Sequence, residues 1–335
     1  MHSIIFDLII FYISIFIFGT VIEKVKIPKI YAALFLGVLL SNNQYVLSLL
    51  KEPSLQTLTQ IGMFCLLFLL GFNLDINQIK KQRSLITRVT ISMISAELVV
   101  GTLMLHFIFN VSWGLAAFIS LSFATVGEVA ILPILEEFKM VKTKLGQSIL
   151  GISILDDTVE IASFIILIFY ISKLGSSEII NELIPLFAII SGIILKKFTS
   201  KIFIPKVESL LKVFSYMIFG PLFFFYAGTE ANLNILISKW WIIIFMSLVI
   251  KLTKLVSVYL SSHAQLGFKK SIVMAVSLSI KFSTSIVILI ILLQKGLISE
   301  ELFSVLIGMK VVFKFVVPIL LSYLLKSWHI ELKKT

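Results

Sequence analysis

Long apolar runs separated by short, lysine-rich polar breaks make up this chain. Eleven runs stand out, at about 4–22, 28–41, 54–74, 84–108, 112–138, 144–172, 181–197, 210–232, 239–261, 268–294 and 300–325. Most reach the ~20 residues that a helix needs to cross hydrocarbon. The pattern predicts an all-α polytopic membrane protein of about eleven transmembrane helices. The second run is short, with Pro28 at its first helical position and Gly37 permitting close packing. Two runs are interrupted. The fifth breaks at Thr125-Val126-Gly127-Glu128 and then carries Pro133, and the tenth holds Lys281 among Ser279, Ser283, Thr284 and Ser285.

Composition agrees: 59% of the 335 residues are hydrophobic and 14% charged, against ~45–50% and ~25% in soluble domains. The net charge of +11 reflects lysines in short loops, not a nucleic-acid surface. Loops after odd-numbered runs, with the C-terminal tail, hold nineteen Lys and Arg; the other side holds Lys51, Lys173, Lys239 and Lys295. The positive-inside rule then puts the N-terminus outside and the C-terminus in the cytoplasm. Cys65 is the sole cysteine and the four histidines lie near run ends, so neither a disulfide nor a Cys or His metal site is expected. The first run has no basic start and no small-residue cleavage site, and reads as a retained helix.

Against this background the stretch Ile154-Leu155-Asp156-Asp157-Thr158-Val159-Glu160 organises the reading. It lies inside an apolar run, where hydrocarbon penalises a central carboxylate by ~2.5–3.5 kcal/mol or more. Asp156 and Glu160 are four residues apart and Asp157 and Glu160 three, so all three lie near one helix face. That face must look into protein or water. Two readings compete, an ion or proton pathway and a structural ion-pair network. Like-charged carboxylates repel unless protons or cations intervene, which favours the pathway.

A weak internal repeat is present. Run three closes Leu70-Gly71-Phe72-Asn73-Leu74-Asp75, and run eight closes Ala227-Gly228-Thr229-Glu230-Ala231-Asn232-Leu233. One run is odd and the other even, so the repeats are inverted, as in many secondary transporters. The expected organisation is one transmembrane domain with an N-terminal repeat over about 4–172 and a C-terminal repeat over about 181–325. Runs five and ten then correspond, and matched broken helices point to a midplane binding site. Glu128 suits exposed half-helix N-termini and Lys281 exposed C-termini. Thr125, Ser283 and Thr284 offer oxygens to a cation or to freed backbone. Lys251 and Lys254 lie in the middle of run nine, and one of them is expected to meet Asp156/Asp157. Glu97 in run four is a partner for one of these lysines, whereas Asp7 and Glu23 read as interfacial. Lys310 and Lys314 share a face of run eleven without an evident role.

The order and spacing of several short motifs resemble the bacterial cation:proton antiporter-2 family, of the sodium/proton antiporter fold. The residues carrying the resemblance are Ile27-Pro28 with Leu36-Gly37-Val38-Leu39-Leu40, the close at Leu70 to Asp75, Ile131-Leu132-Pro133-Ile134-Leu135-Glu136-Glu137, Leu155-Asp156-Asp157, Phe224 to Leu233, and Gly296 to Phe303. The resemblance implies a dimerisation domain, hence a homodimer, and a core domain with two crossing broken helices. It implies a bacterial cytoplasmic (inner) membrane. It also implies that Asp157 binds the cation while Asp156 pairs with Lys254, or with Lys251 one turn away. Three departures stand out: fewer helices than the family's usual twelve to fourteen, Lys281 where many relatives carry Arg, and Glu160 as an extra carboxylate.

The function expected is secondary Na+(Li+)/H+ antiport by competition for the buried Asp pair, with alternating access. K+/H+ antiport is the near alternative; a sodium-coupled organic-anion symporter and a transport-dead membrane sensor are more distant ones. The expected partners are a monovalent cation, the proton and the lipid bilayer, with no cofactor and no nucleic acid. No nucleophile–His pairing, metal cluster or phosphate loop suggests an enzyme.

Overall fold

The computed structural model describes residues 4–23, 29–73, 83–124, 134–135, 138–141, 143–172, 179–200, 202–279 and 284–328. Among them there is no strand. The helices are α1 Ile4–Glu23, α2 Ile30–Leu39, α3 Gln44–Leu50, α4 Pro53–Asn73, α5 Arg83–Phe109, α6 Trp113–Ala124, α7 Lys144–Ser172, α8 Ile179–Phe198, α9 Ile204–Val213, α10 Gly220–Thr229, α11 Leu233–Ser238, α12 Trp240–Leu278, α13 Thr284–Gln294 and α14 Glu300–Ser327. The all-α expectation holds, and most runs became helices within a few residues of their read boundaries.

The differences have local causes. Run eight is two helices, α9 and α10, joined by a π-helical turn at Phe214–Ile218. Runs nine and ten meet inside α12, where Gly267 has φ 71° and ψ 177°, a conformation that only glycine adopts without strain. The short helix α3 was not anticipated from the apolar pattern. Its N-cap Asn43 accepts from the Val46 amide at 3.2 Å, which satisfies one of the orphan donors of the first turn.

Among the described residues, five helical stretches are long and apolar enough to cross a membrane: Phe6–Glu23, Pro53–Asn73, Ser84–Phe109, Ile204–Thr229 and Trp240–Leu278. On α1, Phe6, Ile9, Ile13, Phe16 and Ile17 are all at least half exposed. In water such a stripe is a liability; in a bilayer it is matched by its solvent. Asp7 is half-buried and accepts from Tyr45 at 3.0 Å, and exposed Glu23 pairs with Lys29 at 2.9 Å.

Two compact units divide the chain, and each draws on both sequence halves. Unit 1 comprises Met1–Asn73, Ser177–Trp240 and Ile290–Ile307; unit 2 comprises Leu74–Ser176, Trp241–Leu289 and Gly308–Thr335. Unit 1 is held by backbone approach at glycines. A Cβ on Gly37 would stand 2.2 Å from the Phe225 carbonyl oxygen, and one on Gly228 2.3 Å from that of Leu34. The α4–α8 pair repeats this, with 2.1 Å from Gly71 to the Ile189 carbonyl and 2.1 Å from Gly192 to that of Phe68. Such small-residue contacts suit membrane helices, which gain little from apolar burial and rely on close packing.

Unit 2 builds its core from helix stripes. Leu85, Val89 and Met93 of α5, with Ile149 and Ile152 of α7, are buried against Val258 of α12 and Leu321 of α14. Spacings of three and four residues keep each set on one helix face.

Gly71→Ala and Gly228→Ala are expected to lower stability by at least ~1–3 kcal/mol, the usual range for overpacking. Gly114, with nothing within 4 Å of its Cβ position, is the control. Melting temperatures in detergent check this: Gly114→Ala should match the parent and the other two should fall below it.

Candidate ion site

The polar centre of unit 2 continues the same stripes. On α5, Leu85, Val89 and Met93 are followed one turn later by Glu97, and on α7, Ile149 and Ile152 are followed by Asp156 and Glu160. On α12 the buried run Ser247, Ile250, Lys254, Val258 has the lysine in its middle. The charges therefore occupy core positions. Glu97 and Lys254 are 0% exposed, Asp156 1% and Glu160 3%, with Asp157, Lys251 and Lys310 half-buried. α7 passes through its carboxylates without a break, because a helix satisfies its own backbone where water is scarce. Thr158 and Ser163 turn their hydroxyls back to the carbonyls of Ile154 and Val159, at 2.8 and 2.7 Å.

Three lysines enter this centre. Lys254 Nζ lies 3.2 Å from Glu97 Oε2 and donates to the Leu278 carbonyl at 3.3 Å. Lys251 Nζ donates to the Ser279 carbonyl. Lys310 Nζ donates to Ser285 Oγ at 2.6 Å, in the first turn of α13. Glu160, Glu97 and Lys254 all act electrostatically on Lys310, and Lys254, Glu97 and Lys310 on Lys251. Lys310 thus links Glu160 of α7 to the Glu97–Lys254 pair. Glu160 and Ser163 also line, with Phe118, Phe164, Leu167 and Ile288, a cavity of about 10 Å³, close to the ~10–15 Å³ that admits one water.

Leu278 ends α12 and Ser279 follows it. The last carbonyls of a helix lack intrahelical donors and carry partial negative charge. Lys251 and Lys254 supply donors and positive charge there. The sequence assigned that task to Lys281, which lies outside the described residues, as do Thr125, Glu128 and Ser283. Thr284 begins α13 and Lys314 lies in α14, their side chains outside the described set. Glu97 meets a lysine of run nine as expected, and that lysine is Lys254. The roles of Lys310 and of the 278–279 carbonyls were missed, since nothing in an apolar pattern says which backbone groups end exposed to a distant side chain.

The fold has a solved counterpart. Over 97% of this chain and 96% of the other, the structure superposes on the sodium proton antiporter MjNhaP1 from Methanocaldococcus jannaschii at pH 8 with a TM-score of 0.59 and 13% identity. No curated protein matches by sequence. The family model for the transmembrane sodium/hydrogen exchanger matches residues 12–204 and 188–327. Fold and family are those of a membrane transporter rather than an enzyme. With nearly the whole length matched, the chain belongs to the sodium/hydrogen exchanger family.

Proposed function

We propose that this protein exchanges a monovalent cation, Na+ or Li+, for protons across the bacterial cytoplasmic membrane, by competition at the α7 carboxylates. The observation that carries the reading is the burial of Asp156 and Glu160 beside half-buried Asp157 on one helix face of unit 2. Carboxylates so placed gain from holding a proton or a cation in place of a bare charge. A site that holds one or the other, in a domain that moves only when loaded, converts competition into exchange. Asp157 is the cation ligand, with Asp156, Glu160 and Thr125 contributing to the ion and proton site. Lys254, with Lys251 beside it, is the competing ammonium. Glu128 and Lys281 compensate half-helix ends at the crossing of the broken helices. No cofactor takes part.

The lysine-rich loops support an N-terminus outside and a C-terminus in the cytoplasm. The apolar, exposed face of α1 is compatible with a homodimer as well as with lipid. K+ is the alternative cargo, since carboxylate chemistry alone does not select among monovalent cations.

Proteoliposomes with a trapped pH-sensitive dye test the reading. Addition of NaCl or LiCl to acid-loaded vesicles should release protons, and release by KCl alone would reassign the cargo. Asp157→Asn should remove exchange while leaving the protein membrane-inserted, because an amide cannot alternate between proton and cation; exchange at the parent rate would sink the assignment. If Asp156 mainly holds a lysine, Asp156→Asn should reduce exchange less and should lower the melting temperature, since removing one member of a buried charge pair typically costs ~3–5 kcal/mol.

A further inference from the structure

The offset of 157 residues that carries Gly71 onto Gly228 also carries Glu97 onto Lys254. The two glycines make matching contacts: Gly71 packs with Gly192 of α8, and Gly228 with Gly37 of α2. Glu97 and Lys254 instead touch each other, at 3.2 Å and with no exposure. Residues at equivalent positions of two inverted repeats can meet only on the axis relating the repeats. The neighbouring contact fits, since Ser92 Oγ donates to the Ser257 carbonyl at 3.3 Å: one residue moves back along α5 as its partner moves forward along α12. The first repeat thus places an acid on the axis and the second a base.

A lock between helices does not require ions. A well-packed apolar pair often serves as well or better, because burying two charges carries a large desolvation penalty. The pair also has company: Glu97 and Lys254 both act on Lys251 and on Lys310, Glu160 acts on Lys310 as well, and Asp156 and Asp157 stand on α7 one turn before Glu160. Lys310 therefore links the Glu97–Lys254 pair to Glu160, the acid one turn beyond Asp156 and Asp157 on α7.

We infer that Glu97 is a positioning residue that holds the Lys254 ammonium on the repeat axis while a cation occupies the α7 carboxylates, the lysine exchanging between the two acids as the cation leaves. The inference rests on the antiport reading above. Glu97 touches no transported ion. It sets how hard the lysine competes with one.

The test compares Glu97→Gln, Glu97→Asp and the exchanged pair Glu97→Lys with Lys254→Glu in proteoliposomes. Without its axial acceptor the lysine competes harder, so Glu97→Gln should raise the apparent KM for Na+ by about tenfold with a smaller change in maximal rate, a shift within the range of ordinary site couplings. Glu97→Asp keeps the charge and should restore much of the parent KM. In detergent, Glu97→Gln should also need about tenfold more Na+ for half of the cation-induced rise in melting temperature. The exchanged pair restores an ion pair on the axis but moves the ammonium to α5, so its KM should stay raised. A simple lock predicts the opposite, with parent KM in the exchanged pair and in Glu97→Gln, and losses only in yield or maximal rate; that result overturns the inference. Should Glu97→Gln not insert, the exchanged pair decides alone by the same criterion. Parent vesicles in which no monovalent cation moves protons would overturn the antiport reading instead.

Discussion

Charge inside hydrocarbon is tolerable only where other protein groups answer it, and unit 2 is arranged around that constraint. Glu97, Asp156, Glu160 and Lys254 are each no more than 3% exposed. They lie on helix faces whose preceding turns are apolar core, so the same stripe that packs α5, α7 and α12 together delivers the charges to one place. The burial that makes ionised carboxylates expensive also makes their neutralisation by a proton, a cation or an ammonium worth more than it would be in water. Stability and ion chemistry are in this respect one arrangement seen from two sides.

Backbone ends impose a second demand on the same region. α12 stops at Leu278, leaving carbonyls without intrahelical donors. Lys251 and Lys254 reach them from the preceding stretch of the same helix, beyond the Gly267 bend. Partly buried charges near helix ends contribute up to ~2 kcal/mol. Lys254 thus answers two needs at once, a helix terminus and an acid. Unit 1 has no comparable cluster among its described buried residues and relies on Gly37–Gly228 and Gly71–Gly192 contacts instead.

How much of this was legible in the sequence follows from what each signal measures. Apolar run length gave the helices, because hydrocarbon thickness fixes how many residues a span needs. The Asp156/Asp157/Glu160 face was legible because helix periodicity places side chains without reference to the rest of the fold. The split of run eight was not: a π-helical turn at Phe214–Ile218 depends on contacts such as that of Ser215 Oγ with the Cys65 carbonyl at 2.8 Å, 150 residues away. Lys310 went unexplained for the same reason, since its partner Ser285 stands on another helix. Thr125, Glu128 and Lys281 were singled out by local breaks in apolar runs, a signal that marks a position but does not say what surrounds it.

The pairing of Glu97 with Lys254 lies between these cases. The sequence pointed Glu97 to one of several lysines and Lys254 to the Asp156/Asp157 pair, without singling out this contact. On the repeat register inferred above, the missing information is supplied, because an inverted repeat brings a small set of equivalent positions to its axis. An exact repeat would put the same side chain there twice, and two buried acids or two buried lysines would repel. Divergence to opposite charges removes that conflict at the contact itself. It also breaks the equivalence of the repeats, with three carboxylates on α7 in the first half and Lys310 on α14 in the second. A scaffold whose halves match in backbone and differ in charge can keep a symmetric framework while presenting acids from one half to ammonium groups from the other. On the antiport reading proposed above, each lysine in such a cluster competes for the sites that a mobile cation would occupy.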